Sequence, residues 1–296
     1  IGEQGTKGVG LLAIGAPAFQ EASLFAALRP QEMEPEKAAP VFVAGATTFR
    51  GLRSTCDNFQ AMQFEALSAS AREAGDVTAL WQRPGGMLRG AESNAVQLTG
   101  AAASESAFKQ QAAGKRVLHL ATHGFFLGGK CASALGAGEK PGEEMPVSSP
   151  GENPLLLSGL ALAGANHRQA AGPDEEDGIL TAEEIAALDL SGVEWAVLSA
   201  CDTGVGEVKA GEGVLGLRRA FQVAGVRTLI TSLWPVEDQV ARDWMGQLYR
   251  ARLVHGLTTI DAVHQANLKT LHQRRAKGLT THPFYWAGFV AAGDWR

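Results

Sequence analysis

Apolar runs alternate with amphipathic stretches along the chain, and that alternation predicts most of its elements. Residues 10–16 (GLLAIGA) read as a buried strand. Residues 57–74 (DNFQAMQFEALSASAREA) carry helical spacing with Asp57 as N-cap, and 76–81 (DVTALW) read as a short strand. A helix capped by Ser104 is predicted over 104–113, followed by a strand over 116–123 (RVLHLATH) that ends at Gly124. Thr181 with Glu184 matches a capping box and opens the next helix. Residues 194–201 (EWAVLSAC) read as a strand, 213–224 (GVLGLRRAFQVA) as a helix stopped by Gly225, and 226–234 (VRTLITSLW) as a strand halted by Pro235. Helices over about 237–254 and 259–277 follow, then a last strand over 284–292 (FYWAGFVAA).

Two stretches interrupt this pattern. Residues 29–51 hold Pro30, Pro35 and Pro40 and are predicted as loop. Residues 127–178 are rich in Gly, Pro, Ser and Glu around one apolar island, 155–165 (LLLSGLALAGA), predicted as a hairpin or strand. So long a loop in a compact domain is usually functional or mobile, which makes this flexible insertion the candidate for regulation.

Near-continuous apolar strands separated by helices are the signature of a mostly parallel sheet covered on both faces. The predicted fold is α/β, with about six strands in one domain. In such sheets ligands bind beyond the carboxyl ends of the strands. His123 and Cys201 both fall at ends of that kind, which is the structural reason to pair them.

Composition narrows the function classes. With 296 residues and 45% hydrophobic content, a packed core is within reach. A net charge of −5 argues against a nucleic-acid binder, which needs a basic surface. No apolar run reaches the roughly 20 residues that span a bilayer. The three cysteines, Cys56, Cys131 and Cys201, are widely spaced with no CxxC pair. That pattern fits neither a disulfide framework nor a zinc ribbon, and it suits a reducing cytoplasm. The chain starts at Ile1 rather than Met, so it is expected to be part of a longer protein.

A thiol needs a nearby base to be a good nucleophile near neutral pH, and an imidazole supplies one. It can also protonate a leaving amine. Gly124 allows a sharp turn and offers an N–H to a developing oxyanion, and Gly204 and Gly206 let substrate approach the backbone beside Cys201. From spacing alone the bland alternative stands beside this one: Cys201 as a small buried hydrophobe and His123 as a core histidine. Gly211, Gly213 and Gly216 spell GxGxxG, but a polar loop separates them from the preceding strand, so the nucleotide fingerprint lacks its context. His119 and His123 are four apart in a strand-like run without the glutamate of a zinc helix; His119 reads as a buried support beneath His123, and no metal is expected. Cys56 and Cys131 read as incidental loop thiols.

The stretches LHLATHGFF, LSACDTGVGEVKAGEGVLGLRRAFQVAGVRTLITSLWPVED and HPFYWAGFVAAGD resemble the CHAT family, caspase-like peptidases related to separase and often fused to tetratricopeptide repeats. The likeness covers about residues 114–126 and 176–294, with a weaker match at GLLAIGAPAF and the AASESAFK helix. It implies a caspase-like three-layer sandwich with His123 as acid–base partner and Cys201 as nucleophile. The thiolate would form an acyl-enzyme that water releases. The backbone N–H groups of Gly124 and Cys201 are implied as oxyanion hole, and Asp202 and Thr203 as residues ordering the substrate loop. Ser232, Trp234, Glu237 and Asp238 fall where the family builds its P1 pocket. Separase carries an acidic residue directly after the tryptophan; here that position is Pro235, so an apolar or small P1 with Trp234 as wall is expected at least as much as Arg or Lys. Glu237 and Asp238 read equally as ordinary first-turn helix acids.

The function expected from this resemblance is a cytoplasmic cysteine endopeptidase of bacterial type acting on a protein partner. A repeat region or sensor would activate it, as in relatives that serve antiviral defence by cleaving a gasdermin or similar target. The rival reading is a catalytically silent scaffold or signalling module. No cofactor, no direct nucleic-acid contact and no membrane contact are expected.

Overall fold

The computed structural model describes residues 7–25, 49–50, 62–84, 88, 90–126, 154–200 and 212–294. Its centre is the strand β1 (Leu11–Pro17), whose apolar run is buried on both faces. After the two-residue β2 (Phe49–Arg50) and helix α1 (Ser70–Trp81), β3 (Ala95–Gly100) pairs parallel to one side of β1, with Leu11 opposite Ala95. Helix α2 (Glu105–Ala112) leads to β4 (Val117–Ala121), which pairs parallel to the other side of β1, with Leu11 opposite Val117.

Beyond β4 the chain enters a small antiparallel sheet, β5 (His123–Phe126), β6 (Ser158–Ala161) and β7 (Ile179–Thr181), in that order. Helix α3 (Ala182–Ala186) returns it to the main sheet through β8 (Trp195–Leu198), helix α4 (Glu212–Val223) and β9 (Thr228–Ser232). The short β10 (Val236–Glu237) pairs with β2. Helices α5 (Asp238–Leu253) and α6 (Thr259–Ala276) then precede β11 (Phe289–Gly293), the antiparallel edge of the main sheet. The six-stranded order is β11-β9-β8-β4-β1-β3.

Side chains alternate across each strand, so every apolar run feeds two cores. Leu12, Ile14, Leu118, Leu120, Ala196 and Leu198 face Phe108 of α2, Ile185 of α3 and Phe221 of α4. Leu11, Ala13, Val117, Trp195, Val197 and Ile230 face Ala74, Val77 and Trp81 of α1 and Trp244, Met245 and Leu248 of α5. The architecture is the expected α/β three-layer sandwich: a mostly parallel sheet with helices on both faces.

Several expected boundaries move. The helix expected over 57–74 and the strand over 76–81 are replaced by α1, with residues 62–67 non-helical; Asp57 lies outside the described residues. Ala74, Val77 and Trp81 recur at helical spacing and bury together on the sheet, which overrides the strand preference of Val77 and Thr78. β3 escapes the apolar pattern because it is a half-exposed edge strand containing Gln97 and Thr99. The single strand expected over 116–123 divides at Thr122, whose hydroxyl donates to the Ala161 carbonyl, so His119 and His123 belong to different sheets. The last strand starts at Phe289, after a 3-10 turn over Pro283–Tyr285. Of the insertion at 127–178, residues 127–153 lie outside the described residues, whereas Leu160, Ala161, Leu162, Ala163 and Ala165 are buried in the core. Most of the 29–51 stretch and both Cys56 and Cys131 also lie outside the described residues.

The start of α1 crosses directly over β1. A Cβ on Gly15 would sit 2.3 Å from the Ser70 carbonyl oxygen, and the Ala16 N–H donates to Ser70 Oγ at 2.8 Å. Gly15→Ala is therefore expected to destabilise the chain by about 1–3 kcal/mol through overpacking, read as a lower urea midpoint; an unchanged midpoint would show that α1 tolerates being lifted.

Candidate functional site

The carboxyl ends of β4 and β8 lie side by side, with Leu120 opposite Leu198. His123 follows the first of this pair by three positions and Cys201 the second by three. Thr231 on β9 is the next partner in register, opposite Leu198, and Ser232 follows it. Ser199 and Ala200, which lead toward Cys201, are buried at 0% and 3% exposure. Cys201, Asp202 and Thr203 themselves lie outside the described residues.

His123 opens β5 and is 2% exposed. Its ring packs against those of Phe19 and Phe64, with centroids at 5.4 and 5.9 Å, and those two rings also touch each other at 5.8 Å. Its Nε2 lies 2.8 Å from the Glu65 carbonyl oxygen. A carbonyl oxygen only accepts, so Nε2 carries the proton of the neutral ring and Nδ1 the lone pair. This geometry makes Nδ1 the basic nitrogen. Gly124, next along β5, stands opposite Leu160 of β6.

The segment that carries Glu65 is fixed at several points. Phe64 N–H donates to Asn166 Oδ1 at 2.7 Å and the Asn166 amide donates back to Phe64 O at 3.0 Å. Arg168 Nη2 donates to Met62 O at 2.8 Å. At the far end, Ala69 N–H donates to Asp238 Oδ2 at 2.6 Å.

The residues expected to wall a substrate pocket are spread along the exit of β9. Ser232 is fully buried and stands opposite Phe289. Trp234 is half-buried, stacks on Phe284 at 6.0 Å and donates its indole N–H to Phe284 O at 2.9 Å. Glu237 precedes α5 and stands opposite Phe49. Asp238 is 3% exposed and directed at Ala69, as above. Phe19, Phe64, the Glu65 carbonyl, Asn166 and Arg168 form the surroundings of His123 that sequence reasoning missed. A backbone carbonyl has no sequence signature, and Phe64 lay within a stretch read as helix.

His119 is buried but serves other partners than His123. Its Nε2 lies 3.0 Å from Glu73 Oε1 of α1 and its Nδ1 3.2 Å from the Tyr249 hydroxyl of α5. Burial first, and the Glu73 charge second, hold the Tyr249 hydroxyl well above its ordinary pKa, so it stays a proton donor to Nδ1. Nε2–H then donates to Glu73, and the histidine bolts two helices to β4.

Among the described residues one cluster of potential metal ligands occurs, Glu105, Glu176 and Glu184. Lys109 Nζ already occupies it, at 2.8, 2.6 and 2.9 Å from the three carboxylates. A cation there would have to displace an ammonium.

A family model described as "CHAT domain" matches residues 3–294. Tetratricopeptide repeat protein 28 of Homo sapiens is 32% identical over 122 residues, 41% of this chain and 5% of that protein. Its Mus musculus counterpart is 33% identical over 116 residues, 39% of this chain and 4% of that protein. The chain thus corresponds to a small part of either relative.

Burial raises the Glu105 carboxyl from 4.5 to about 9, with the hydrogen bond to Glu176 and the charge of Glu184 adding and Lys109 opposing. The folded chain keeps a proton there that the unfolded chain releases near 4.5, so this contribution to stability is full below 4.5 and lost as pH rises through about 9. Glu105→Gln should flatten the decline of Tm across that window; an unchanged slope would remove Glu105 as its source.

Proposed function

The chain belongs to the CHAT domain family, and from that premise we propose that it is a cysteine endopeptidase of the caspase-like kind, with Cys201 as nucleophile and His123 as acid–base group. The observation that carries this reading is the His123 imidazole at the carboxyl edge of a parallel sheet. Its proton is held on Nε2 by Glu65 O at 2.8 Å, one strand away from the β8 exit that leads to Cys201. A core histidine needs hydrogen-bond partners, but nothing in packing requires it to stand where such sheets bind ligands.

In this reading Nδ1 takes the Cys201 thiol proton, and the thiolate attacks the scissile carbonyl carbon. The oxyanion is held by the N–H groups of Gly124 and Cys201. His123 then passes its proton to the leaving amine as the C–N bond breaks, and the acyl group remains on sulfur. Water, deprotonated by the same nitrogen, cleaves the thioester and restores the thiol.

In this reading Asp202 and Thr203 order the loop beside the nucleophile and Trp234 and Glu237 contribute to the substrate wall, whereas Ser232, fully buried, and Asp238, bound to the Ala69 N–H, support that wall from behind. Trp234, half-buried at the β9 exit, favours an apolar or small P1 side chain. The substrate is a protein or peptide. The relatives named for tetratricopeptide repeats support a neighbouring repeat region or activating partner in the full protein. Among the described residues no helix is long and apolar enough to cross a membrane.

Cleavage of a peptide library by the chain, beside Cys201→Ala and His123→Ala, tests the reading. Cys201→Ala should abolish cleavage, and His123→Ala should lower kcat/KM by about 10²–10⁴. Cleavage that survives loss of Cys201 would overturn the assignment. Failure of an electrophilic peptide to label Cys201 faster than a free thiol would favour a silent scaffold.

A further inference from the structure

We propose that Asn166 and Arg168 are positioning residues for His123, holding the Phe64–Glu65 peptide so that its carbonyl keeps the imidazole proton on Nε2. This rests on the reading of His123 as the acid–base group.

The two side chains project from a 3-10 turn over Ala165–Ala170. Its start is Gly164, at φ +86, where a Cβ would meet the Phe25 ring at 2.9 Å. The turn is anchored to the chain leaving β1: Gly164 N–H donates to Ala18 O at 3.0 Å and Asn166 N–H to Phe19 O at 2.9 Å. Asn166 is therefore fixed by its backbone before its side chain acts.

Its carboxamide then pairs with both the N–H and the carbonyl of Phe64, at 2.7 and 3.0 Å, as a neighbouring strand would. Arg168 adds the bond to Met62 O and holds its own turn through Ala165 O at 2.6 Å. Its guanidinium carbon stands 5.9 Å from the centre of the Phe64 ring. Residue 166 thus grips both Phe19 and Phe64, whose rings pack against each other and against the imidazole. The Glu65 carbonyl follows Phe64 directly, so its direction is set by the same clamp. Loss of the clamp leaves the carbonyl and both aromatic walls free to shift, and with them the orientation and tautomer of His123.

Ring ¹⁵N shifts of His123, assigned by their loss in His123→Gln, report the tautomer. The rate of Cys201 alkylation by iodoacetamide against pH, followed by peptide mass spectrometry, reports the activation of the thiol. The unmodified chain is expected to show the Nε2–H form; an Nδ1–H ring overturns the proposal without any variant. Asn166→Ala and Arg168→Met are expected to mix the tautomers, move the pH midpoint of alkylation and slow it at neutral pH by roughly tenfold or more. Arg168→Met keeps the apolar length of the side chain and decides the matter if Asn166→Ala does not fold. Wild-type tautomer and pH profile in the folded variants, whatever their melting temperature, would reduce the clamp to a stability feature. If His123→Gln leaves Cys201 alkylation unchanged, the dyad reading fails, while the ring shifts still judge the clamp.

Discussion

A carbonyl oxygen can only accept, so the Glu65 carbonyl 2.8 Å from His123 Nε2 fixes which nitrogen of the ring is protonated. The position of that carbonyl depends in turn on nearly every layer of the fold. Residues 62–69 run from the Asn166 clamp to α1, where Asp238 of α5 receives the Ala69 N–H. Ser70 then ties α1 to Ala16, which adopts φ +44 at the point where β1 slips register against β3. An alanine in the left-handed region is disfavoured, and the Ser70 bond to its N–H helps hold it there. The end of β1 and the start of α1 therefore constrain each other beside the candidate site.

The helix that carries this segment is locked on its buried face by polar bonds as well as apolar packing. Glu73, His119 and Tyr249 are each no more than 1% exposed and form one chain from α1 through β4 to α5. Burying a carboxylate is costly, and removing one partner leaves the others without satisfaction. Such a network adds little net stability over an apolar core, but it permits few alternative placements of α1. At the amino end of the sheet, Glu194 joins Arg116 and Arg252 at 2.8 and 2.6 Å. Those groups are partly exposed, so solvent screens them and their contribution is small. The asymmetry is physical: the amino end of the sheet is closed by screened ion pairs, and its middle is held by the buried directional bonds of His119.

That difference also explains how much was legible from sequence. β1, β4, β8 and β9 are buried on both faces and so read as apolar runs. The Ser104 cap and the Thr181–Glu184 box follow local rules and appear as read, with Ser104 Oγ accepting from Ala107 N–H. α5 carries a clear apolar stripe, and α6 buries small residues such as Ala262 and Ala266 at helical spacing. α1 misled because Val77 and Thr78 favour strand locally, whereas burial beside Trp81 decides the outcome. His123 was singled out because imidazole chemistry is visible in a letter code, and its acid–base role is a proposal. Its tautomer was invisible, since the group that sets it is a main-chain oxygen brought there by contacts more than 50 positions distant in the chain. Cys201 was read from the sequence alone and remains a proposal on that footing.

Arg168 contributes a fixed spacing at the cost of burying a charge. Its burial presses the guanidinium below its ordinary pKa, opposed by the charge of Asp177. A residue of that size on the surface would keep its hydration, and a leucine-sized side chain would fill much of the same volume without the desolvation cost. The guanidinium does what neither can, donating at once to Met62 O and Ala165 O from one rigid plane. Two segments far apart in sequence thereby acquire a fixed spacing, and the peptide whose carbonyl meets His123 lies within one of them. In the proposed reading, that fixed spacing is what holds the Glu65 carbonyl against His123.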